Sequence, residues 1–139
     1  MNTLVDTSVW SLSLRRDPVD LNPSQRLVVR ELTELIAEGR VFLIGPIRQE
    51  ILSGIRSPSQ FESLRSFLRD FPDLALATSD YESAAVASNK CKSKGITVSV
   101  VDALICAVAL NRELTIFTMD IDFQRFANIL NISLHSPRK

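Results

Sequence analysis

Short apolar runs that alternate with longer segments of helical periodicity are the feature of this sequence that most constrains its fold. No hairpin-turn signature joins two consecutive apolar runs. Strands that alternate with helices predict a parallel sheet covered on both faces. We therefore expect an α/β protein, a three-layer α/β/α sandwich with a mostly parallel central sheet. The predicted strands are residues 3–5, 41–44, 74–77, 114–117 and 132–134, the last at an edge.

The segments between these strands carry helix signals. Ser24 is the expected N-cap of a long helix that closes at Gly39. The stretch 102–111 has almost no polar face and predicts a fully buried helix. Residues 96–100 are compatible with either a strand or a loop. The other predicted helices run from Asp6 to about Arg16, over 47–55, from the break at Ser57-Pro58 through Phe67, from about Ser79 to Lys94, and over 120–130.

Composition is typical of one ordinary globular domain spanning residues 1–139. Hydrophobic residues make up 45% of the chain and charged residues 23%, and no apolar run reaches the roughly 20 residues of a membrane span. The N-terminus does not resemble a signal peptide. Two cysteines without metal-ligand spacing, Cys91 and Cys106, indicate free thiols, so we expect a cytoplasmic protein. The formal net charge of zero argues against a protein that holds nucleic acid mainly by bulk electrostatics.

Four acidic residues stand where predicted strands give way to helices: Asp6, Glu50, Asp102 and Asp120. In parallel sheets, ligands bind beyond the carboxyl ends of the strands, so all four should project toward the same edge. Helix capping is the simpler explanation for each aspartate taken alone, and solvation is the simpler one for Glu50. Capping does not explain Glu50, or why Asp102 introduces the most apolar helix.

Carboxylates crowded into one crevice repel one another unless a cation neutralises them. Oxygen ligands of this kind suit Mg²⁺, with Mn²⁺ as a possible substitute. His135 is the single histidine, which excludes a His-rich site, and its place near the C-terminus predicts an exposed tail residue. Carboxylate-bound Mg²⁺ is typical equipment for phosphodiester hydrolysis. No P-loop, GxSxG or GxGxxG pattern is present.

Four segments, in this order and spacing, resemble the PIN-domain family, and specifically the VapC-type toxins of type II toxin–antitoxin pairs. The resemblance covers nearly the whole chain. One departure is Cys106, where the family more often has a small apolar residue. The segments are Leu4-Val5-Asp6-Thr7-Ser8-Val9-Trp10, Glu50-Ile51-Leu52-Ser53-Gly54-Ile55, Asp102-Ala103-Leu104-Ile105-Cys106-Ala107 and Thr118-Met119-Asp120-Ile121-Asp122-Phe123.

The resemblance implies a metal-dependent endoribonuclease with the four acids as its catalytic and metal-binding residues. Glu50 is expected to act through water. Three further residues would orient the carboxylates or a metal-bound water without binding the metal themselves: Thr7, Thr118 and Asp122. Ser8 could do the same, but helix capping is at least as good an explanation for it. The family further implies a homodimer and a cognate antitoxin that occupies the cleft, often with an arginine. Alternatives are a PIN-domain nuclease of RNA maturation outside any toxin pair, and a non-catalytic interaction module on the same fold.

RNA binding requires positive charge near the acids. The candidates are Arg48 beside Glu50, Arg56 at the end of the same helix, and Arg15 and Arg16 after the first helix. Arg48 is the preferred candidate because it is near the acids, although it could simply pair with Glu50. The lysines of 90–94 could also contribute, but cations are favoured at a helix C-terminus in any case. Trp10 could stack on a base, yet a core or dimer-interface position is the better expectation.

Overall fold

Three parallel strands form the centre of the protein. The computed structural model describes all 139 residues. The strands are β1 (Thr3–Val5), β2 (Val41–Phe42) and β3 (Thr115–Phe117), in the spatial order β2-β1-β3. Thr3 is in register with Val41 on one side of β1 and with Thr115 on the other. The expected α/β class with a parallel sheet is confirmed.

Two single bridges extend the sheet on either side. Leu43, directly after β2, pairs with Asp73, and Ile116 pairs with Leu134. The predicted strand 74–77 is therefore wrong, because its contribution stops at the Asp73 bridge and one hydrogen bond from Leu74 N to Leu43 O (2.8 Å). The predicted edge strand 132–134 is reduced to one bridge. Residues 96–99 are loop.

Seven α-helices and one 3₁₀ turn surround the sheet. They are α1 (Thr7–Arg15), the 3₁₀ turn Pro18–Asp20, α2 (Pro23–Ala37), α3 (Gly45–Leu52), α4 (Pro58–Leu68), α5 (Thr78–Ser93), α6 (Val100–Arg112) and α7 (Asp122–Ile129). The cap of α2 is Asn22 and not Ser24, because Asn22 and Gln25 form a reciprocal capping box. Proline at the second position lets α3 begin earlier than expected.

The strand order places the helices on both faces of the sheet. The chain passes from β1 to β2 on one side, and then from β2 back across β1 to β3. Parallel crossovers are almost always right-handed, so two crossovers in opposite directions lie on opposite faces. Helices α1 and α2 belong to the first crossover, and α3 to α6 to the second. This is the three-layer arrangement.

The core contains the elements that the sequence predicts to be buried. Every residue from Ala103 to Ala109 of α6 is buried, which confirms the expected apolar helix. Trp10 is fully buried, and its Nε1 donates to the Val5 carbonyl at 3.2 Å, so it belongs to the core and is not available to stack on a base. Cys91 and Cys106 are buried free thiols.

The expectation that His135 is an exposed tail residue is wrong. Its side chain is 14% exposed, and Nε2 contacts the carboxylate of Glu31, which is 2% exposed. Arg138 also donates to Glu31, at 2.7 Å. Burial raises the pKa of Glu31, but the hydrogen bonds from His135 and Arg138 outweigh it, and the net pKa is below the ordinary value. These bonds hold the C-terminal segment against α2. No helix in the structure is long and apolar enough to cross a membrane.

Candidate active site

The ends of β1 and β3 bring two predicted site segments together. Val5 is in register with Phe117, and the backbone N–H of Asp6 donates to the Phe117 carbonyl at 2.9 Å. The residues that follow these two strands therefore emerge side by side. Asp6 and Thr118, 112 residues apart in the chain, become neighbours for this reason.

The carboxylate of Asp6 is held by two hydroxyl groups. Ser8 Oγ donates to Asp6 Oδ2 at 2.7 Å, and Thr118 Oγ1 donates to the same oxygen at 2.8 Å. Each hydroxyl has one proton, so both are committed to Asp6. Asp6 is 6% exposed, yet its Oδ1 accepts no hydrogen bond and is not enclosed. One oxygen is thus fixed by the protein, and the other is free to bind a ligand.

Thr118 also positions Asp120. Its Oγ1 accepts a hydrogen bond from Asp120 N at 2.9 Å, while Asp120 Oδ1 accepts one from Asp122 N, also at 2.9 Å. These bonds fix the turn between β3 and α7. Asp122 contributes its backbone here, and its exposed side chain does not line the cleft described below. The predicted place of Thr118 beside the acids is what the structure shows.

Asp102 lies in the first turn of α6 without capping it. The cap is Ser99, whose Oγ accepts from Asp102 N at 3.1 Å, so the capping explanation for this aspartate fails. Burial raises the pKa of Asp102 to about 6, and the negative charges of Asp6, Asp120 and Glu50 add to the increase. Mutual repulsion of this kind shows that the four carboxylates occupy one electrostatic environment.

Glu50 lies on α3 and is tied to α1. Thr7 Oγ1 donates to Glu50 Oε1 at 2.8 Å. Glu50 is exposed, unlike Asp6 and Asp102, and its Oε2 accepts no hydrogen bond from the protein. Thr7 therefore orients Glu50, as predicted, while leaving one carboxylate oxygen open.

All four predicted acids line a single open cleft of about 620 Å³. The other lining residues carry hydroxyl or amide groups, apart from Pro46 and Val101, and none is positively charged. The full set is Asp6, Thr7, Ser8, Pro46, Gln49, Glu50, Ser53, Val101, Asp102 and Asp120. The cleft is consequently a concentration of negative charge with no protein cation to balance it.

The donor set of the cleft fits Mg²⁺ or Mn²⁺ by its chemistry, since every charged ligand is a carboxylate. No group of three or more acidic, histidine or cysteine side chains is arranged to hold an ion directly. Magnesium commonly takes one or two carboxylates and keeps several waters. Asp6, Asp102 and Asp120 are the residues that would hold such an ion, and Glu50 would act through water.

Arg48 is engaged elsewhere. Its guanidinium donates to Asp73 Oδ1 at 3.0 Å and to the Leu68 carbonyl at 2.9 Å, and it also contacts the Phe71 carbonyl. It neither pairs with Glu50 nor lines the cleft. Arg48 joins α3 to the segment after α4, and the structure gives no support to its predicted contact with RNA.

Cysteine chemistry has no place in this cleft. Burial raises the pKa of the Cys106 thiol to about 12, with the charge of Asp102 adding to the increase, so the nucleophilic thiolate is not formed at neutral pH. Burial likewise raises the pKa of Cys91.

The sequence does not point to several residues that lie in or beside the cleft. Ser99 could have been found, because Ser99-x-x-Asp102 before an apolar run is a helix-start pattern. For Ser8 the sequence leaves helix capping open as an equal role. In the structure its hydroxyl donates to Asp6 Oδ2 and accepts from Met119 N at 3.0 Å. Gln49 and Ser53 carry no local signal, since exposed polar residues on a helix are ordinary.

The fold is that of a known class of protein. The sequence matches the PIN domain family over residues 3–129, and the chain belongs to that family. Within it, the chain belongs with the VapC-type proteins. It is 30% identical to ribonuclease VapC11 of Mycobacterium tuberculosis and to VapC ribonuclease Mb1587 of Mycobacterium bovis, with 97% of this chain and 98% of each relative covered.

Solved structures share the fold at lower identity. FitAcB from Neisseria gonorrhoeae has a TM-score of 0.73 and 24% identity, with 97% of each chain covered. VapBC2 from Rickettsia felis, bound to a DNA fragment from its promoter, has a TM-score of 0.72 and 18% identity, with 97% and 98% covered.

Proposed function

We propose that this protein is a Mg²⁺-dependent endoribonuclease, with Mn²⁺ as a possible substitute, that acts as the toxin of a toxin–antitoxin pair. The observation that carries the proposal is the cleft in which Asp6, Glu50, Asp102 and Asp120 meet without a balancing cation. The similarity of the chain to named VapC ribonucleases supports RNA as the substrate.

Each of the four acids has a definable part in such a reaction. Asp6 offers Oδ1 to a metal while Ser8 and Thr118 hold Oδ2. Asp102 and Asp120 supply the neighbouring carboxylates. A bound Mg²⁺ would lower the pKa of water for attack on phosphorus and stabilise charge on the phosphate oxygens. Glu50, exposed and oriented by Thr7, is placed to accept hydrogen bonds from water at the mouth of the cleft.

The protein partner would be a cognate antitoxin. Several of the similar structures are toxin–antitoxin complexes. An antitoxin segment that presents an arginine would neutralise the cleft, because the cleft contains no cation of its own. A homodimer is the state we expect for the toxin, and light scattering of the purified chain would measure it.

The decisive test is the loss of RNA cleavage in Asp6→Asn and Asp102→Asn. Each variant removes one negative charge from the cleft with little change of shape. Asp70→Asn is the matched control, because Asp70 is exposed and forms no side-chain hydrogen bond or ion pair. We expect both cleft variants to lose activity and Mg²⁺ binding by calorimetry while the control keeps both. Wild-type cleavage rates in a folded Asp6→Asn or Asp102→Asn protein would refute the proposal.

A further inference from the structure

A second groove adjoins the carboxylate cleft along helix α1. It has a volume of about 300 Å³ and is lined by Ser8, Ser11, Leu12, Arg15 and Arg16; we call it the α1 groove. Ser8 also lines the cleft, so the two cavities are neighbours on either side of this residue. The α1 groove carries two arginines, whereas the cleft carries four carboxylates.

The spacing of the polar residues gives the α1 groove its direction. Ser8, Ser11 and Arg15 are three and four residues apart, so they share one face of the helix. With a rise of 1.5 Å per residue, that face extends about 10 Å from Ser8 to Arg15. Leu12 is 5% exposed and forms the floor. A linear ligand that occupies the cleft can continue along this face.

The two arginines of the groove are free of protein partners. Arg15 and Arg16 are exposed, and neither side chain forms an ion pair or hydrogen bond within the chain. The hydroxyl of Ser11 is also unpaired. Arg15 Nη2 would lie 3.7 Å from a Cβ placed on Gly54, which puts the guanidinium beside the turn that follows α3. A helix C-terminus favours Arg15 in any case, but it does not account for Arg16 beyond the last helical residue.

We infer that the α1 groove binds the phosphate backbone of the RNA strand next to the bond that is cut in the cleft. This inference rests on the proposed ribonuclease function. RNA is a polyanion, and the cleft itself offers it only carboxylates, so binding affinity must come from cations beside the cleft. Arginine forms bidentate hydrogen bonds with phosphate oxygens. The α1 groove is lined by two unpaired arginines and shares Ser8 with the carboxylate cleft.

The test is RNA binding by Arg15→Gln/Arg16→Gln, measured in EDTA so that binding is separate from cleavage. The probe is a fluorescently labelled single-stranded oligoribonucleotide, and the readout is anisotropy as a function of salt. Arg26→Gln/Arg30→Gln is the matched control, since it removes the same charge from exposed residues of α2 that form no ion pair. Arg15→Lys/Arg16→Lys retains the charge and should retain most of the binding.

We expect about a tenfold weaker affinity in the glutamine variant of the groove. The slope of log affinity against log salt concentration should become shallower by about 1.4, because each of the two lost phosphate contacts on a single strand contributes about 0.7. The control should match the wild type. Equal affinity and slope in the groove variant and the control would overturn the inference.

A second measurement separates this inference from the proposed function. With Mg²⁺, cleavage of a long RNA should show a raised KM in the groove variant and an unchanged kcat. Absence of cleavage in the wild type would refute the proposed function, and the binding measurement in EDTA would then decide by itself whether the α1 groove binds RNA. If the groove variant loses affinity for a polyglutamate peptide but keeps its affinity for RNA, the groove binds an acidic protein segment and the inference is wrong.

Discussion

The hydroxyl of Thr118 should be worth more to this site than any other uncharged group. It donates to Asp6 Oδ2 and accepts from Asp120 N, so it joins two of the four acids across the ends of β1 and β3. Thr118→Val keeps the shape of the side chain and removes both bonds. Ser8 still holds Asp6 Oδ2, but Asp120 N loses its side-chain acceptor.

The magnitude follows from the two bonds that are lost. A hydrogen bond to a charged group contributes about 1.5–3 kcal/mol and a neutral one about 1 kcal/mol. Asp6 is almost fully buried, although loosened carboxylates would also regain some water in the open cleft. We therefore expect a loss of about 2 kcal/mol in the free energy of unfolding. Outer groups that orient metal ligands change metal affinity by about 10–100-fold, so Mg²⁺ affinity and cleavage should fall within that range.

Urea unfolding in EDTA, Mg²⁺ titration by calorimetry and the initial rate of RNA cleavage measure the three effects. Thr33→Val is the control, because Thr33 is exposed and its Oγ1 donates only to the Val29 carbonyl within α2. It should leave Mg²⁺ binding and cleavage unchanged. If Thr118→Val binds Mg²⁺ as tightly as the wild type, the claim that hydroxyls position the acids is refuted, even if the variant is less stable.

Three further predictions concern charge. Asp80, 3% exposed in its side chain, pairs with Arg112 at 2.7 Å, and the hydrogen bond from Arg112 holds the Asp80 pKa below its usual 3.8. The pair thus stabilises the protein above that pH, and the contribution is lost as the pH falls below it. Arg112→Gln should lower the free energy of unfolding by about 3 kcal/mol at pH 7. If the free energy of unfolding of this variant falls as steeply in acid as that of the wild type, the prediction is contradicted. Asp102→Asn should raise the melting midpoint in EDTA at neutral pH by a few degrees, since relief of about 1 kcal/mol of repulsion moves the midpoint of a chain this size by roughly 2–4 °C; a lowered midpoint in calorimetry would count against crowding. Arg48→Gln should destabilise the fold by about 2 kcal/mol and leave the salt dependence of RNA binding unchanged, and a flatter salt dependence would restore Arg48 as an RNA contact.

The lining of the cleft could be predicted from local sequence because strand ends are local features. An apolar β-branched run followed by an aspartate marks the carboxyl end of a strand, and parallel strands bring those ends to one edge. This pattern indicates Asp6 and Asp120, and the apolar helix that has Asp102 in its first turn indicates Asp102. The order β2-β1-β3 then brings Asp6 and Thr118 into contact.

Features that depend on distant partners could not be read from the sequence. Arg48 is close to Glu50 in the chain, yet it donates to the Asp73 carboxylate and to the Leu68 carbonyl at the end of α4. The predicted strand 74–77 has suitable residues, but only Asp73 meets Leu43, and a strand forms only where a neighbour satisfies its backbone.

The sequence by itself thus determined the helices, the three central strands and the four acids, since all of these rest on periodicity and on the residues that flank each strand. Tertiary structure alone decided which hydroxyls hold the acids, which arginines remain free, and that His135 packs against the buried Glu31. The physical reason is that hydrogen bonds and ion pairs are made between whichever groups the packing brings within reach. Which groups come close in space cannot be read from their separation along the chain.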